Sequence, residues 1–199
     1  MTEMKNLKKM YKGRFFGRRE GRLSWRANYV CPAVMSALHP GSLVDVGCAV
    51  GIYVKKFLEM GVDACGLEGT DNCLPYLVIP RERIIIHDLR TSLVTRRKFD
   101  VALCLEVLEH IAPEYALILV VNLTKLSDKI LCSAAPPGQR GHYHQNCRVK
   151  DYWYSLFASF GYRPKNDIVE IVKSGLFPVK HRREIRAYYN NLMYFERCI

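Results

Sequence analysis

Two short segments carry the side chains best suited to chemistry. Glu106-x-x-Glu109-His110 sets two carboxylates three positions apart, with a histidine directly after the second, and a later loop contains His142 and His144. Carboxylates and imidazoles can take a proton from a hydroxyl near neutral pH. We therefore predict that Glu106, His110, His142 and His144 are catalytic residues.

The same side chains could hold a metal ion. Two carboxylates and two imidazoles suit an octahedral divalent ion such as Mg²⁺ that keeps open positions. The candidate ligands are Glu106, Glu109, His110 and His144. Without a metal, Glu109 and His110 would settle the start of a helix. One of the three histidines would then act as a general base or position the substrate.

A cofactor site is predicted where an apolar run ends in a glycine-spaced turn. The segment 43–51 reads LVDVGCAVG, and a helix-like stretch follows it. A strand, a tight loop and a helix N-terminus together cradle nucleotide-type cofactors. Glu68 ends the next strand-like run, where it could accept hydrogen bonds from both hydroxyls of a ribose. Asp88 ends the third run. The alternative for Glu68 is an exposed strand-end glutamate, and the alternative for Asp88 is a helix N-cap or turn aspartate.

These residues need a parallel sheet to bring them together. Continuously apolar runs alternate with helix-like segments, which is typical of a parallel sheet covered on both faces. The predicted strands are 42–46, 62–68, 83–88, 99–105 and 129–134, and the predicted helices include 24–38, 112–126 and 149–160. Two further strands are predicted at 168–173 and 190–197, the last one antiparallel.

The motifs resemble those of class I S-adenosylmethionine (SAM) methyltransferases. Asp45-x-Gly47-x-Ala49-x-Gly51 is similar to motif I of that family, usually [DE]-x-G-x-G-x-G, with Ala49 in place of the middle glycine. The segment 99–110 resembles the family's FDxVxxxEVLEH stretch. The resemblance covers roughly residues 40–199. It implies an α/β fold with the seven-stranded Rossmann-like sheet, helices on both faces, last strands antiparallel, and SAM as cofactor.

The resemblance also implies roles for individual residues. Asp45 faces the amino-acid end of the cofactor, Glu68 binds the ribose, Asp88 accepts from the adenine amino group, and Leu89 packs on the adenine ring. The implied cofactor-binding residues are Asp45, Gly47, Cys48, Ala49, Gly51, Glu68, Asp88, Leu89 and Leu105.

Two narrower resemblances bear on the acceptor. E-x-x-E-H with a distant histidine looks like the metal-binding set of small-RNA 3′-terminal 2′-O-methyltransferases, and E-x-x-E-H also resembles that of ubiquinone-pathway O-methyltransferases. The segment 137–146 resembles the P-G-Q-x-G-x-x-H-x-N signature of small methyltransferases found beside glycosyltransferases and in viruses. We predict O-methylation of a hydroxyl on a glycan-type or RNA ribose acceptor. The alternative is a non-catalytic methyltransferase-fold module that binds nucleic acid or another partner.

Charge is concentrated near the N-terminus of this 199-residue chain, whose formal net charge is +11. Residues 1–26 contain nine basic and two acidic residues, with Tyr11, Phe15, Phe16 and Trp25 among them. Basic and aromatic residues together suit contact with a polyanion. We predict a basic arm at 1–26 and a single methyltransferase domain at 27–199. The alternatives for the arm are a solubilising segment and a lid over the cofactor site.

The remaining composition points to a cytoplasmic protein. The eight cysteines include no CxxC pair, which favours reduced thiols over disulfides or structural zinc. No apolar run is long enough to span a membrane, and the N-terminus lacks the apolar core of a signal peptide. We therefore predict no membrane contact. The oligomeric state is left open.

Overall fold

The computed structural model describes residues 7–17 and 20–198. The strands are β1 (Ser42–Val46), β2 (Asp63–Glu68), β3 (Ile84–Ile86), β4 (Val101–Leu105), β5 (Lys129–Ser133), β6 (Tyr162–Pro164) and β7 (Leu192–Arg197). The helices are α1 (7–10), α2 (Gly13–Gly17), α3 (Glu20–Leu38), α4 (Ile52–Glu59), α5 (Ala116–Leu126), α6 (Lys150–Ala158), α7 (Asn166–Leu176) and α8 (Arg183–Asn191).

The strands form one seven-stranded sheet in the order β3-β2-β1-β4-β5-β7-β6. The first five strands are parallel, and β7 runs antiparallel to both β5 and β6. Helices α3, α4 and α7 pack on one face, and α5 and α6 pack on the other. The predicted fold class is confirmed. The carboxyl ends of β1, β2 and β4 therefore meet at one edge, where such sheets bind ligands.

The prediction of a strand at 168–173 was wrong. This segment lies inside α7, because Val169, Val172 and Leu176 recur at helical spacing and are all buried. Gly175 lets α7 approach α3 closely, since a Cβ there would lie 2.8 Å from the Cβ of Ala33. The sixth strand is instead β6, which has only three residues.

The described part of the predicted basic arm packs against the domain. Phe16 is 1% exposed within the core. Lys8 pairs with Asp71 at 2.7 Å, and the amide of Asn72 donates to the backbone carbonyls of Lys8 and Tyr11. Residues 1–6, 18 and 19 lie outside the described residues. Helix α3 runs through the predicted boundary between residues 26 and 27.

All eight cysteines are free, and six of them are buried. Burial raises the pKa of Cys73 to about 12, which keeps its thiol protonated. Among the described helices, none combines the length and the apolar character needed to cross a membrane.

Candidate active site

The loop between β1 and α4 adopts a tight left-handed path. Gly47, Ala49 and Gly51 have φ angles of 80°, 52° and 87°. A Cβ on Gly47 would collide with Val107, and one on Gly51 would lie 2.6 Å from Ile79. These glycines are therefore required by packing as well as by backbone conformation. Cys48 is buried, and a Cβ on Gly66 of β2 would collide with its sulfur.

Ala49 is the strained member of this loop, because a left-handed backbone costs an alanine about 1–2 kcal/mol. We expect Ala49→Gly to keep cofactor binding and to raise the free energy of unfolding by up to about 1 kcal/mol, since the relieved strain exceeds the entropy cost of glycine. Chemical denaturation measures this. Ala37→Gly, within helix α3, should instead lower the free energy of unfolding by about 1 kcal/mol. Equal losses in both variants would contradict the assignment of strain to Ala49.

Two adjoining pockets open at the carboxyl ends of the strands. The arm-side pocket lies beneath Leu7, Tyr11 and Phe15 and contains Glu68, Asp88 and Leu89. The α8-side pocket is lined by Arg26, Asp45, Tyr53, Leu105, Arg183 and Tyr188, among others. Gly47, Ala49, Glu106 and His110 line both pockets. One elongated ligand could therefore cross the glycine loop from one pocket to the other.

Glu68 is held at the end of β2 by the backbone. One carboxylate oxygen accepts from the N–H of Ala49 and the other from the N–H of Gly69, each at 2.9 Å. These two bonds fix the carboxylate beside the glycine loop and inside the arm-side pocket. The predicted ribose contact would use this same carboxylate.

Asp88 is 6% exposed and forms a bidentate pair with Arg90. Its Oδ1 also accepts from the backbone N–H of Arg90 at 3.0 Å, as in a turn. The structure therefore matches the turn-aspartate alternative, although Asp88 and Leu89 both line the arm-side pocket. The predicted adenine contact of Asp88 stays a prediction. Leu105 lies apart from Leu89, in the α8-side pocket.

Asp45 is 4% exposed in the α8-side pocket. Burial and, after it, the charge of Glu68 raise its pKa to about 7. The carboxyl is therefore ready to lose its proton when a cation binds beside it. A protonated amino group, such as that of a methionine moiety, would supply this cation.

A pH dependence follows from this pKa. If Asp45 binds the cofactor's amino group as a carboxylate, S-adenosylhomocysteine (SAH) should bind about tenfold more weakly at pH 6 than above pH 8, because Asp45 titrates at about 7. Unfolded Asp titrates near pH ~4, so the folded state binds more protons between pH ~4 and ~7 and the stability contribution of Asp45 falls as pH rises. Calorimetry across pH checks the affinity. The Asp45→Asn variant should bind SAH weakly, and its affinity should no longer depend on pH in this range. If the variant kept the parental pH profile, Asp45 would not be the group that titrates.

Sequence reasoning missed a second part of the α8-side pocket. Arg26 of α3 donates from Nη1 to the hydroxyl of Tyr188 at 3.0 Å, and its guanidinium lies 5.2 Å from the centre of that ring. Among the described residues, the buried Nε of Arg26 has no hydrogen-bond partner. A buried donor needs an acceptor, so this group suits an anionic atom of a ligand. The position of Arg26 inside the predicted helix 24–38 was the available signal, whereas its charge alone assigns it to the basic arm.

Glu109, one of the predicted metal ligands, lies near two of the predicted catalytic histidines, His110 and His144. It is 0% exposed, and neither carboxylate oxygen makes a hydrogen bond of good geometry among the described residues, although the backbone N–H groups of Glu109 and Ala135 lie close enough to lower its pKa. Burial and then the charge of Glu106 raise its pKa to about 8. Its Oε1 lies 3.9 Å from Nε2 of His144. One ligand atom from each of Glu109, His110 and His144 lies within 4.8 Å of the others.

The two imidazoles are oriented by backbone carbonyls. Nδ1 of His144 lies 3.0 Å from the carbonyl oxygen of Gln139, and Nδ1 of His110 lies 3.3 Å from that of Tyr143. An Nδ1–H that donates to a carbonyl leaves Nε2 as the basic nitrogen. His144 therefore presents Nε2 to the carboxylate of Glu109.

Backbone hydrogen bonds join the two predicted segments. The N–H groups of Gln145 and Asn146 donate to the carbonyl oxygen of Glu109 at 2.8 and 3.0 Å. The side-chain amide of Gln145 donates to the carbonyl oxygen of His110 at 2.9 Å. These bonds explain how residues so distant in sequence converge as predicted.

Glu106 is not part of this three-residue group. Its φ of 56° turns it away from the short 3₁₀-helix Leu108–His110. The hydroxyl of Ser133 accepts from the N–H of Glu106 and donates to its Oε1, both at 2.8 Å. The predicted four-ligand set is therefore reduced to three here, because a helical E-x-x-E face does not form.

His142 also lies outside the group. It is exposed, and its ring stacks on that of Phe15 with centres 6.2 Å apart. The neighbouring Tyr143 ring contacts Tyr11 at 6.0 Å, and Tyr11 in turn lies 6.4 Å from His110. The N-terminal segment and the histidine loop thus meet over the arm-side pocket. This arrangement matches the lid alternative for the arm.

Known proteins place this site in a family. Residues 22–127, more than half of the chain, match the family described as a methyltransferase domain. A segment of 85 residues is 25% identical to the ubiquinone biosynthesis O-methyltransferase of Rhodopseudomonas palustris (strain BisA53), covering 40% of this chain and 34% of that protein. The match thus spans about a third of that relative.

Solved structures share the fold at low identity. The sugar N-methyltransferase KedS8 from Streptoalloteichus sp. ATCC 53650 superposes with a TM-score of 0.66 at 15% identity, covering 92% of this chain and 90% of that one. The methyltransferase domain of bacterial CtHen1-C gives 0.60 at 14% identity, covering 90% and 100%. The plantazolicin methyltransferase BpumL, solved with SAH, gives 0.58 at 14% identity, covering 92% and 88%.

The chain belongs to the methyltransferase domain family. Its seven-stranded sheet, with the last strands antiparallel, matches the class I methyltransferase fold.

Proposed function

We propose that this methyltransferase acts on oxygen, at a hydroxyl of a glycan-type or RNA ribose acceptor. The observation that carries the proposal is the buried carboxylate of Glu109, which lies within 4.8 Å of a ring nitrogen of both His110 and His144, while His110 itself lines both pockets. A hydroxyl is a weak nucleophile and needs a group that takes or weakens its proton. A buried acid next to two imidazoles, one of which lines both pockets, meets that need.

In this proposal SAM lies across both pockets. Adenosine occupies the arm-side pocket, with its ribose on Glu68 and its ring against Leu89. The methionine moiety occupies the α8-side pocket, with its amino group near Asp45 and its carboxylate on Arg26. Methyl transfer is an in-line displacement, so the protein must align the acceptor oxygen, the methyl group and the sulfur. Glu106 lines both pockets and would therefore lie near the methyl group in this arrangement.

The narrower resemblances imply a divalent metal ion, and the residues present fit one. Glu109, His110 and His144 would hold it. Their fit rests on the buried carboxylate and on the carbonyls that orient both imidazoles. A bound divalent cation would lower the pKa of an acceptor hydroxyl. Without one, the Nε2 of His144 is the candidate general base.

Several features support the choice of acceptor. The relative from R. palustris is named as an O-methyltransferase, and KedS8 as a sugar N-methyltransferase. A ribose or glycan hydroxyl is an oxygen acceptor, as for the first protein, and belongs to a sugar, as for the second. Lys9 and Lys12 of the arm are exposed, so the proposal includes contact between the arm and a polyanion. The cytoplasmic location remains a prediction, which rests on the free cysteines.

The test is a methyl-transfer screen with labelled SAM. The acceptors are an oligoribonucleotide, its 3′-terminal 2′-deoxy analogue, a neutral oligosaccharide and a small phenol, each with and without EDTA. Transfer to a ribose or sugar hydroxyl supports the proposal, and loss in EDTA that Mg²⁺ or Mn²⁺ restores assigns the metal. Transfer to the phenol alone would refute the acceptor class. SAH binding without any transfer would favour the non-catalytic alternative.

A further inference from the structure

A basic surface borders the α8-side pocket and was not singled out by the sequence motifs. The segment Lys180–Arg186 contains four lysine or arginine residues and a single acid, Glu184. Arg182, Arg183 and Arg186 are exposed, and Arg183 lines the pocket itself. We call Lys180, Arg182, Arg183 and Arg186 the α8 basic surface. Arg183 and the neighbouring Glu184 line the α8-side pocket, and the other three cations lie on the segment next to them.

The charges of this surface are not neutralised internally. Among the described side chains, no carboxylate forms an ion pair with any of its four members. The N–H of Arg186 donates to the carbonyl of Arg182, so these two like charges lie one helical turn apart. Such a pair destabilises a helix unless a counter-charge lies nearby. An external anion would supply that counter-charge.

Aromatic rings hold these cations in place. The guanidinium of Arg182 lies 5.8 Å from the ring centre of Trp25, and Nζ of Lys180 lies 3.7 Å from that of Phe177. Phe177 is 56% exposed. Cation–π contacts reduce the freedom of long side chains, so less entropy is lost when an anion binds. An exposed ring beside a row of cations also offers a surface on which a base can stack.

We propose that the α8 basic surface binds the phosphodiester backbone of a single-stranded RNA acceptor, whose reacting ribose hydroxyl enters the α8-side pocket beside Arg183. The inference rests on the proposed function and narrows its acceptor from a neutral glycan to RNA. Charge complementarity carries the choice. A chain of net charge +11 with an unpaired cationic row at its cleft matches a regular row of phosphates, whereas a neutral sugar would leave that row unpaired.

The test compares two variants with equal charge loss. The first is Lys180→Gln/Arg182→Gln/Arg186→Gln. The matched control is Lys55→Gln/Arg96→Gln/Arg163→Gln, three exposed cations away from the cleft that form no ion pair among the described residues. Binding of a fluorescein-labelled single-stranded oligoribonucleotide of about a dozen nucleotides is followed by anisotropy as salt is varied. SAH binding is measured in parallel, and circular dichroism checks the fold.

We expect the first variant to bind the oligoribonucleotide at least about tenfold more weakly at low salt, and its salt slope to fall by about 2, near 0.7 per lost phosphate contact. The control should lose less than about threefold, and both should bind SAH like the parent. Equal losses in the two variants would overturn the inference, because net charge alone would explain binding. Equal binding of a phosphorylated oligosaccharide would also overturn it, in favour of a glycan. If the parent binds SAH but no RNA, the inference fails while the enzyme class stands; if SAH also fails to bind, the proposed function fails.

Discussion

Glu109→Gln should lower the rate of methyl transfer by about 100-fold or more while leaving SAH affinity within about twofold of the parent. Glutamine keeps the shape of the side chain but cannot become an anion. Both a metal ion and an imidazolium that forms during proton transfer require that anion. Because burial and then the charge of Glu106 raise the pKa of Glu109, the resting protein gains little from its negative charge, and we expect the substitution to leave stability unchanged. Single-turnover transfer and calorimetry separate these effects.

The control for this prediction is Glu114→Gln. Glu114 follows the same strand end but is exposed in the short turn Pro113–Tyr115. The Glu114→Gln variant should transfer methyl groups at the parental rate. If Glu109→Gln also retained full activity, the buried carboxylate would have no part in the reaction, and Glu106 would become the remaining acidic candidate in the cleft.

Phe16→Ala should lower the free energy of unfolding by about 3 kcal/mol, the low end for a buried phenylalanine. Phe16 is 1% exposed, but helix α2 is short and can detach without opening the sheet, which limits the loss. SAH affinity should fall as well, because Tyr11 and Phe15 of the same segment line the arm-side pocket. Denaturation and hydrogen exchange of residues 7–17 give the two readouts.

The matched control is Phe15→Ala at the neighbouring position. Phe15 is only partly buried, and its ring lies over the arm-side pocket and against His142. This variant should weaken SAH binding while costing little stability. If Phe16→Ala left both stability and exchange protection unchanged, the N-terminal segment would not be docked in solution and would be a free basic arm.

The sheet and the cofactor loop could be predicted because their signals are local. Five apolar runs, each followed by a polar strand end, specify the parallel sheet, and the glycines of the loop mark backbone that other residues tolerate poorly. The sixth strand was missed because β6 has only three residues and takes its partner from β7, far along the chain. A strand this short leaves no periodicity to detect.

Residue types, strand-end positions and the E-x-x-E-H resemblance predicted the set Glu106, Glu109, His110 and His144, but which of these residues lie together could be learned only from the coordinates. Glu106 lies outside the group because its own backbone is left-handed and because its carboxylate accepts a hydrogen bond from the hydroxyl of Ser133. The roles of Arg26 and Tyr188 depend on α3 and α8 meeting beside the glycine loop. Their sequence positions are far apart, so no spacing rule links them to the cofactor.

The place of β7 has a consequence for how the chain folds. This strand lies between β5 and β6, and Ile130, Leu131 and Cys132 of β5 pair with Phe195, Tyr194 and Met193. During synthesis β5 leaves the ribosome well before its partner exists, with one edge of an apolar strand unpaired. Such edges bind other chains, and contacts between distant residues form slowly. We therefore expect the sheet to become complete only after residue 197 has left the ribosome. Until then, chaperones should bind mainly at β5.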